Sequence, residues 1–387
     1  MTDGTAPSHG RRIGRLFAEG LVAALGAGLI AAALYASQAW FDRHFIPVFF
    51  LSRKLYVVGE TFARLMMAGL GLMLALVARP TVGRMVERHS LRILAAGAVR
   101  VLLALALAAG LSELVLRARF SRATEEAPAN VEPLRRHDVR LGWAFVPSRV
   151  SHVVVAGRPI DYAFDASGYR VPSLTQPVDP SRPTILFSGE SIITGFGLPW
   201  DESIPARVGS ALGLQSANLS VFAYADDQAY MRLMAELPRF AQPKAVVMLF
   251  SPGLVFRDFD DDRPHLDTNG VWRPAVQRPR LVALLRFFVP YHSRQAIDAK
   301  VAQVHAELAA SVQAAHARGA AALIVVPRFG PEDATDAALR ERILAGLPYV
   351  LVTLDPRLRL PRDPHPNAEG ARLIAAAITD RLRPTPK

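Results

Sequence analysis

Two short segments carry the residue types that acyl transfer requires. Thr184–Ser188 (TILFS) reads as a buried strand that runs into Gly189-Glu190-Ser191, with Gly195 beyond. A strand ending in a small residue and a serine presents the hydroxyl at the edge of a sheet. A helix that follows aims its backbone N–H groups at a developing oxyanion. The competing reading is a turn serine that caps the next helix. The second segment, Asp363-Pro364-His365-Pro366-Asn367, stands directly before the last helical pattern. Its prolines stiffen the loop, and Asn367 suits the N-cap of that helix. An aspartate two residues from a histidine in extended chain can hold one imidazole nitrogen while the other faces a nucleophile. Simple packing of His365 against its loop is the alternative. A third strand end, Asn218 to Gln228 (NLSVFAYADDQ), supplies either oxyanion donors or one more helix cap.

These segments need a sheet to bring them together. Further strand candidates are Ala217–Val221, Ala245–Phe250 (AVVMLF), Ala321–Val326 (AALIVV) and Tyr349–Thr353. Between them lie helical patterns over Ile204–Leu212, Asp226–Leu237, Ser293–Ala317, Glu332–Leu344 and Asn367–Leu382. Continuous Val/Ile/Leu strands separated by helices predict an α/β domain, a parallel sheet covered on both faces. Asp138 to Arg170 reads instead as an antiparallel lead-in, with His152–Val155 and Ile160–Phe164 around Ala156-Gly157. In open parallel sheets ligands bind beyond the carboxyl ends of the strands, where the three segments fall.

The N-terminal part is of another kind. Of 387 residues, 51% are hydrophobic, which is too apolar for an ordinary soluble enzyme. The absence of cysteine excludes disulfides, Cys-ligated zinc, iron–sulfur clusters and a cysteine nucleophile. The net charge of +11 is uneven: residues 1–122 hold 15 Lys/Arg against 6 Asp/Glu, and the remainder 30 against 28. The excess therefore flanks apolar segments, as at a membrane surface, and does not mark a nucleic-acid partner. Gly20–Phe41 is uncharged over 22 residues, long enough to cross a bilayer. Leu65–Ala78 reaches spanning length only with Tyr56–Arg64, and Ile93–Ser112 spans with Arg100 inside it. Arg100 either snorkels or faces a partner helix. Residues 1–122 thus read as a membrane region with spans at about 18–41, 56–78 and 93–115, residues 123–136 as a linker, and residues 137–387 as the α/β domain. Flanking basic residues are nearly balanced and barely orient the spans.

Together the segments resemble the SGNH/GDSL hydrolase superfamily over most of residues 138–387. Gly189-Glu190-Ser191 is similar to its Gly-Asp-Ser nucleophile block, Asn218–Gln228 to the second block, and Phe250-Ser-Pro-Gly-Leu-Val255 stands where the third belongs. Asp363-Pro-His365-Pro-Asn-Ala-Glu-Gly370 resembles the Asp/His block, with Asp-x-His in place of the commoner Asp-x-x-His. Leu141-Gly-Trp143 and Ser167-Gly-Tyr-Arg170 look like the front of membrane-tethered members, some linked to polysaccharide acylation. The resemblance implies a three-layer, flavodoxin-like domain with Ser191 as nucleophile, His365 as base and Asp363 as its orienter. It also implies oxyanion N–H groups from Ser191 and Ala223, with Gly189, Glu190, Asn218 and Ser251 as auxiliaries. No cofactor or metal is expected. The side-chain donor of the third block falls on Leu254, and losing such a donor typically costs about 10²–10³ in rate.

The expectation is a membrane-anchored serine acyl-ester hydrolase or O-acyltransferase, with an acylated envelope glycan or lipid as substrate class. The rival is a lapsed scaffold or glycan-binding protein of the same fold. Three spans with an inside N-terminus would place the C-terminal domain outside the cytoplasm, at a bacterial inner membrane. Two other features read as incidental. Asp258, Asp260, Asp261, Asp262 and Asp267 lack the glycine and glutamate of a calcium loop and read as a solvated loop. Phe287-Phe288-Val-Pro-Tyr291 reads as core or as a surface resting on the membrane.

Overall fold

The computed structural model describes residues 9–46, 53–119, 134–288 and 291–383. Most of the 123–136 linker lies outside them, as do the side chains of Phe287 and Phe288 and all of Val289 and Pro290. The chain divides into two compact units.

The first unit is helical: α1 (His9–Tyr35), α2 (Gln38–His44), α3 (Arg53–Met73), α4 (Arg79–Arg88), α5 (Leu91–Arg119) and one helix from late in the chain. Among the described residues, three helical stretches are long and apolar enough to cross a membrane: Arg12–Tyr35, Arg53–Arg88 and Arg92–Arg119. The helix over the first uncharged run ends at Tyr35, and Ser37 caps α2 by accepting from Trp40 N at 3.3 Å. The segment that fell short in sequence belongs to one continuous helical stretch of 36 residues. It passes a π-helical turn at Leu74–Ala78, where Arg79 N reaches back to Leu74 O. Pro80 accounts for the turn, because it has no N–H to donate to Leu76 and the ladder widens ahead of it. Small residues let α1 and α3 approach closely: a Cβ at Gly26 would lie 2.7 Å from Gly71 O.

The second unit opens with β1 (Arg135–Asp138) and β2 (Gly142–Phe145), then β3 (Arg149–Val155), β4 (Arg158–Phe164) and β5 (Arg170–Val171). There follow β6 (Pro183–Ser188), α6 (Ser191–Thr194), α7 (Ile204–Leu212), β7 (Gln215–Asn218), α8 (Asp226–Glu236), β8 (Gln242–Leu249) and α9 (Pro252–Val255). A short pair, β9 (His265–Leu266) and β10 (Trp272–Arg273), precedes α10 (Arg280–Phe288), which belongs to the first unit. The chain closes with α11 (Arg294–Ala317), β11 (Ala321–Phe329), α12 (Ala334–Leu344), β12 (Tyr349–Leu354) and α13 (Ala368–Leu382).

Eight strands form one sheet in the order β12-β11-β8-β6-β7-β5-β4-β3. The five from β12 to β7 are parallel, and β5, β4 and β3 add antiparallel at one edge. Numbered along the chain, the parallel strands run 2-1-3-4-5, so the winding reverses between β6 and β8. That is the flavodoxin-like order, and its crevice opens at the carboxyl end of β6.

Strand side chains alternate between two cores, as the period of two requires. Leu186, Val246, Met248, Ile324 and Val326 pack with Leu233, Val304 and Ile343 of α8, α11 and α12. Ile185, Phe187, Val247, Leu249 and Val325 pack with Val208 and Ile374 of α7 and α13. The result is the expected three layers, with the expected antiparallel lead-in as the sheet edge. One strand differs: β7 is Gln215–Asn218, not Ala217–Val221. Beyond Asn218 the chain still follows β6, with Leu219 N donating to Phe187 O at 2.9 Å and Val221 N to Gly189 O at 3.3 Å. The apolar run continues, but the ladder ends because the backbone turns to form the site.

Candidate active site

Ser191 stands directly beyond β6, at the winding reversal, as the first residue of α6. Gly189 makes that turn at φ 153°, and a Cβ there would meet Leu249 Cβ at 2.7 Å. Only glycine fits the approach of the two strands. Glu190 caps α6, its carboxylate accepting from Ile192 N at 3.1 Å. Asn218 Nδ2 donates to Ile193 O at 3.2 Å, while its Oδ1 accepts from Ser220 N. Both ends of that amide are committed to backbone, so Asn218 fixes the Ser191 helix against β7.

Asp363 and His365 arrive on the loop between β12 and α13. Arg362 takes a positive φ of 60°, and Leu360 N donates to His365 O at 2.8 Å, closing the loop on itself. Asn367 caps α13 as expected, accepting from Glu369 N and Gly370 N. The result is a continuous chain of contacts. Ser191 Oγ lies 2.6 Å from His365 Nε2, and His365 Nδ1 lies 2.6 Å from Asp363 Oδ1. The same Asp363 oxygen accepts from the His365 amide at 2.9 Å. Burial pushes the Asp363 carboxyl up, but the hydrogen bonds from the His365 ring and amide outweigh it and hold it below the usual range. Phe196 covers the imidazole, with ring centroids 4.7 Å apart.

Glu190 adds a second acceptor for the serine proton, since Ser191 Oγ also donates to Glu190 Oε2. A single hydroxyl proton serves one acceptor at a time, so the carboxylate and the imidazole compete for it. Burial would raise the Glu190 carboxyl. The charges of Arg257 and His365 and the hydrogen bonds from Ser191 and Ile192 outweigh that and leave it lowered. Arg257 Nη1 reaches Glu190 Oε2 at 3.3 Å and Tyr224 O at 3.0 Å.

The loop Val221–Ala225 begins beside Gly189, with Val221 N donating to Gly189 O at 3.3 Å, and is tied down at successive residues. Trp143 Nε1 donates to Phe222 O at 2.9 Å, and Arg263 Nη1 donates to Ala223 O at 2.6 Å. Ala225 N donates to Gln228 Oε1 at 3.1 Å. Ala223 is held at φ 64°, a conformation a glycine would adopt without strain. Among the described residues, no acceptor engages the N–H of Ser191 or of Ala223. Arg170, wholly buried, donates to Thr194 O at 2.5 Å, Gly195 O at 2.8 Å and Leu198 O at 2.6 Å, fixing the turn after the Ser191 helix.

Two residues of the Phe250–Val255 block part company. Ser251, two residues past β8 and at the N-cap of α9, is 2% exposed, and its hydroxyl has no hydrogen-bond partner among the described residues. Leu254 is buried in the apolar cluster with Leu249, Ile192 and Leu360. Leu254→Asn should therefore lower stability by about 1–3 kcal/mol through an unpaired buried amide, without raising turnover. Thermal unfolding and kcat on a small ester check it. A large gain in kcat would show that the side chain does reach the reacting centre.

Sequence reasoning missed Arg257 and Arg263, which brace Glu190 and the Ala223 loop. It also misjudged Asp258. That residue is 2% exposed, not solvated, and sits with buried Asp226, Asp227 and Glu307 beside Lys300 and Arg263. Burial, then the Asp227 charge, pushes the Asp258 carboxyl up to about 8, with Lys300 and Arg263 partly opposing. A raised carboxyl pKa favours the folded state below the ordinary value, and that stability is lost as pH rises toward about 8. Asp258→Asn should flatten the fall in melting temperature between weakly acidic and weakly alkaline pH. Parallel wild-type and variant curves would contradict the assignment. The neighbouring Asp260 and Asp261 pair with Arg263 and Arg278, and Asp267 closes a turn by accepting from Asn269 N and Val271 N.

No family model matches this chain, and no curated protein does. Solved structures do align with it. One is described as a lipolytic protein of the G-D-S-L family from Desulfitobacterium hafniense DCB-2, at TM-score 0.35 and 14% identity over 52% of this chain and 99% of that one. A member of the lipolytic protein G-D-S-L family from Veillonella parvula aligns at TM-score 0.30 and 11% identity, over 51% and 96%. A salicylyl-acyltransferase from a tetracycline biosynthetic pathway aligns at TM-score 0.30 and 18% identity, over 52% and 55%. At these scores the likeness carries no argument about function, which rests on the geometry above.

Proposed function

We propose that the chain is a membrane-anchored serine acyl-ester hydrolase or O-acyltransferase of the SGNH/GDSL type. The observation that carries the reading is the hydrogen-bonded line from Ser191 through His365 to Asp363 at the winding reversal of the sheet. Asp363 holds Nδ1–H, which leaves the Nε2 lone pair facing the serine hydroxyl. As Ser191 Oγ attacks an ester carbonyl, His365 takes its proton. The N–H groups of Ser191 and Ala223 receive the negative charge that develops on the carbonyl oxygen. His365 then returns the proton to the departing alkoxide. Water or a sugar hydroxyl releases the acyl group by the same route in reverse. Arg257 competes with the serine hydroxyl for the same Glu190 oxygen and so favours delivery of the serine proton to His365.

Residues 1–122 serve as a three-span anchor in this reading, with 137–387 as the catalytic domain outside the cytoplasm. An acylated envelope glycan or lipid is the substrate class. Fusions at Lys387 test the topology: active alkaline phosphatase with dark green fluorescent protein is expected, and the opposite pair would refute it. A lapsed, non-catalytic fold is the second reading, favoured by the apolar burial of Leu254. Hydrolysis of p-nitrophenyl acetate by the full chain in detergent separates the two, because a lapsed site turns over no faster than buffer.

A further inference from the structure

Helix α10 (Arg280–Phe288, RLVALLRFF) lies in sequence within the α/β domain but is structurally part of the helical unit, packed against α5. Its start is fixed by a single carboxylate. Glu113 of α5 accepts from Arg280 N and Leu281 N, both at 2.9 Å, which satisfies two of the amides that a helix leaves unpaired at its first turn. Arg117 donates to the same Glu113 at 2.8 Å. A carboxylate on a helix as apolar as α5 is costly unless paired, and this one is spent on placing α10.

An aromatic group marks the level at which this happens. Tyr291, just past α10, stacks on Trp40 with centroids 5.7 Å apart and on His44 at 5.4 Å, both from α2. Trp and Tyr collect where spanning helices leave the hydrocarbon. Helix α2 directly follows α1, and Glu113 is near the end of α5. With three alternating spans, both of those ends emerge on the same side. The outer face of α10 is apolar and uncovered, with Val282 at 42%, Leu284 at 38% and Leu285 at 59% exposure. Arg280 and Arg286 lie on the helix, and Arg117 and Arg119 on the end of α5. Arg286 lies one turn beyond Val282 and borders this apolar face, an arrangement that suits an anionic lipid surface.

We propose that α10 is an interfacial helix, lying in the boundary between headgroups and acyl chains with Val282, Leu284 and Leu285 in lipid. The proposal rests on the reading that α1, α3–α4 and α5 span the bilayer. The chain contains no cysteine, so one introduced thiol reports one place. Leu285→Cys and Val282→Cys, each carrying an environment-sensitive fluorophore, are reconstituted as full chains. The vesicles are of phosphatidylethanolamine and phosphatidylglycerol doped with doxyl-labelled phosphatidylcholine. Leu105→Cys, in the middle of α5, and Val139→Cys, 91% exposed in the second unit, are the references. The expected result at 285 and 282 is blue-shifted emission, lost in larger part to a doxyl group near the headgroup than to one at the chain end. Leu105 should show the reverse preference, and Val139 water-like emission with no quenching. Quenching at 105 with water-like emission at 285 and 282 would overturn the interfacial helix and leave the spans standing. No quenching at 105 would overturn the spanning reading, and this proposal with it.

Discussion

Ser191→Ala should reduce ester hydrolysis by on the order of 10⁴- to 10⁶-fold, the scale seen when a triad nucleophile is removed. The loss should fall on kcat, because the hydroxyl forms the bond that breaks the ester and binds little of the substrate beforehand. The variant should fold. Ser191 is 6% exposed, and its replacement by a methyl group of similar size leaves Glu190 its cap to Ile192 N and leaves His365 its bond to Asp363. Kinetics on p-nitrophenyl acetate, with thermal unfolding as the control, reads both. Activity within tenfold of wild type would move the nucleophile elsewhere.

Asp363→Asn should cost about 10⁴ in kcat, through the tautomer of His365 rather than through its position. One Asp363 oxygen takes both the His365 amide and Nδ1, so an asparagine that turns its NH₂ to Nδ1 gives up the amide bond, while Leu360 N to His365 O still holds the loop. Where the side-chain NH₂ faces Nδ1, however, it donates instead of accepting. The ring proton then moves to Nε2, and the imidazole can no longer take the serine proton. Asp363→Ala should be no worse than Asp363→Asn if the wrong tautomer is the whole effect. Asp355 is not a substitute orienter, because it is engaged by the Arg357 amide and guanidinium. Wild-type kinetics in Asp363→Asn would show that His365 needs no carboxylate.

The Ser191–His365–Asp363 line was legible because each of its parts is a local string. Gly189-Glu190-Ser191 follows a continuous apolar strand, and Asp363 to Asn367 carries its own prolines and cap. The alternation of such strands with helices was enough for the parallel sheet and its three layers. What escaped the sequence depends on reach across the fold. Arg257 meets Glu190 from 67 positions away, and Arg263 meets Ala223 from 40, so no spacing rule finds them. Asp258 and Asp260 look alike in sequence, yet the first is buried and the second pairs with Arg263 near the surface. The burial of Asp258 is decided by α8 and α11, not by its neighbours. Helix α10 escaped for a related reason, since nine residues with arginines at 280 and 286 give a weak pattern until Glu113 supplies the cap.

The most direct measurement is covalent. The 387-residue chain in detergent is treated with a fluorophosphonate, digested, and the modified peptide is sequenced by mass spectrometry. Such reagents phosphonylate a serine, with loss of fluoride, only where a base takes its proton and donors hold the phosphoryl oxygen, so labelling reports the assembled site rather than any serine. The account predicts one modified residue, Ser191, with labelling abolished in Ser191→Ala and strongly slowed in Asp363→Asn. Folded wild-type protein that stays unlabelled, or labelling that persists in Ser191→Ala, would contradict it.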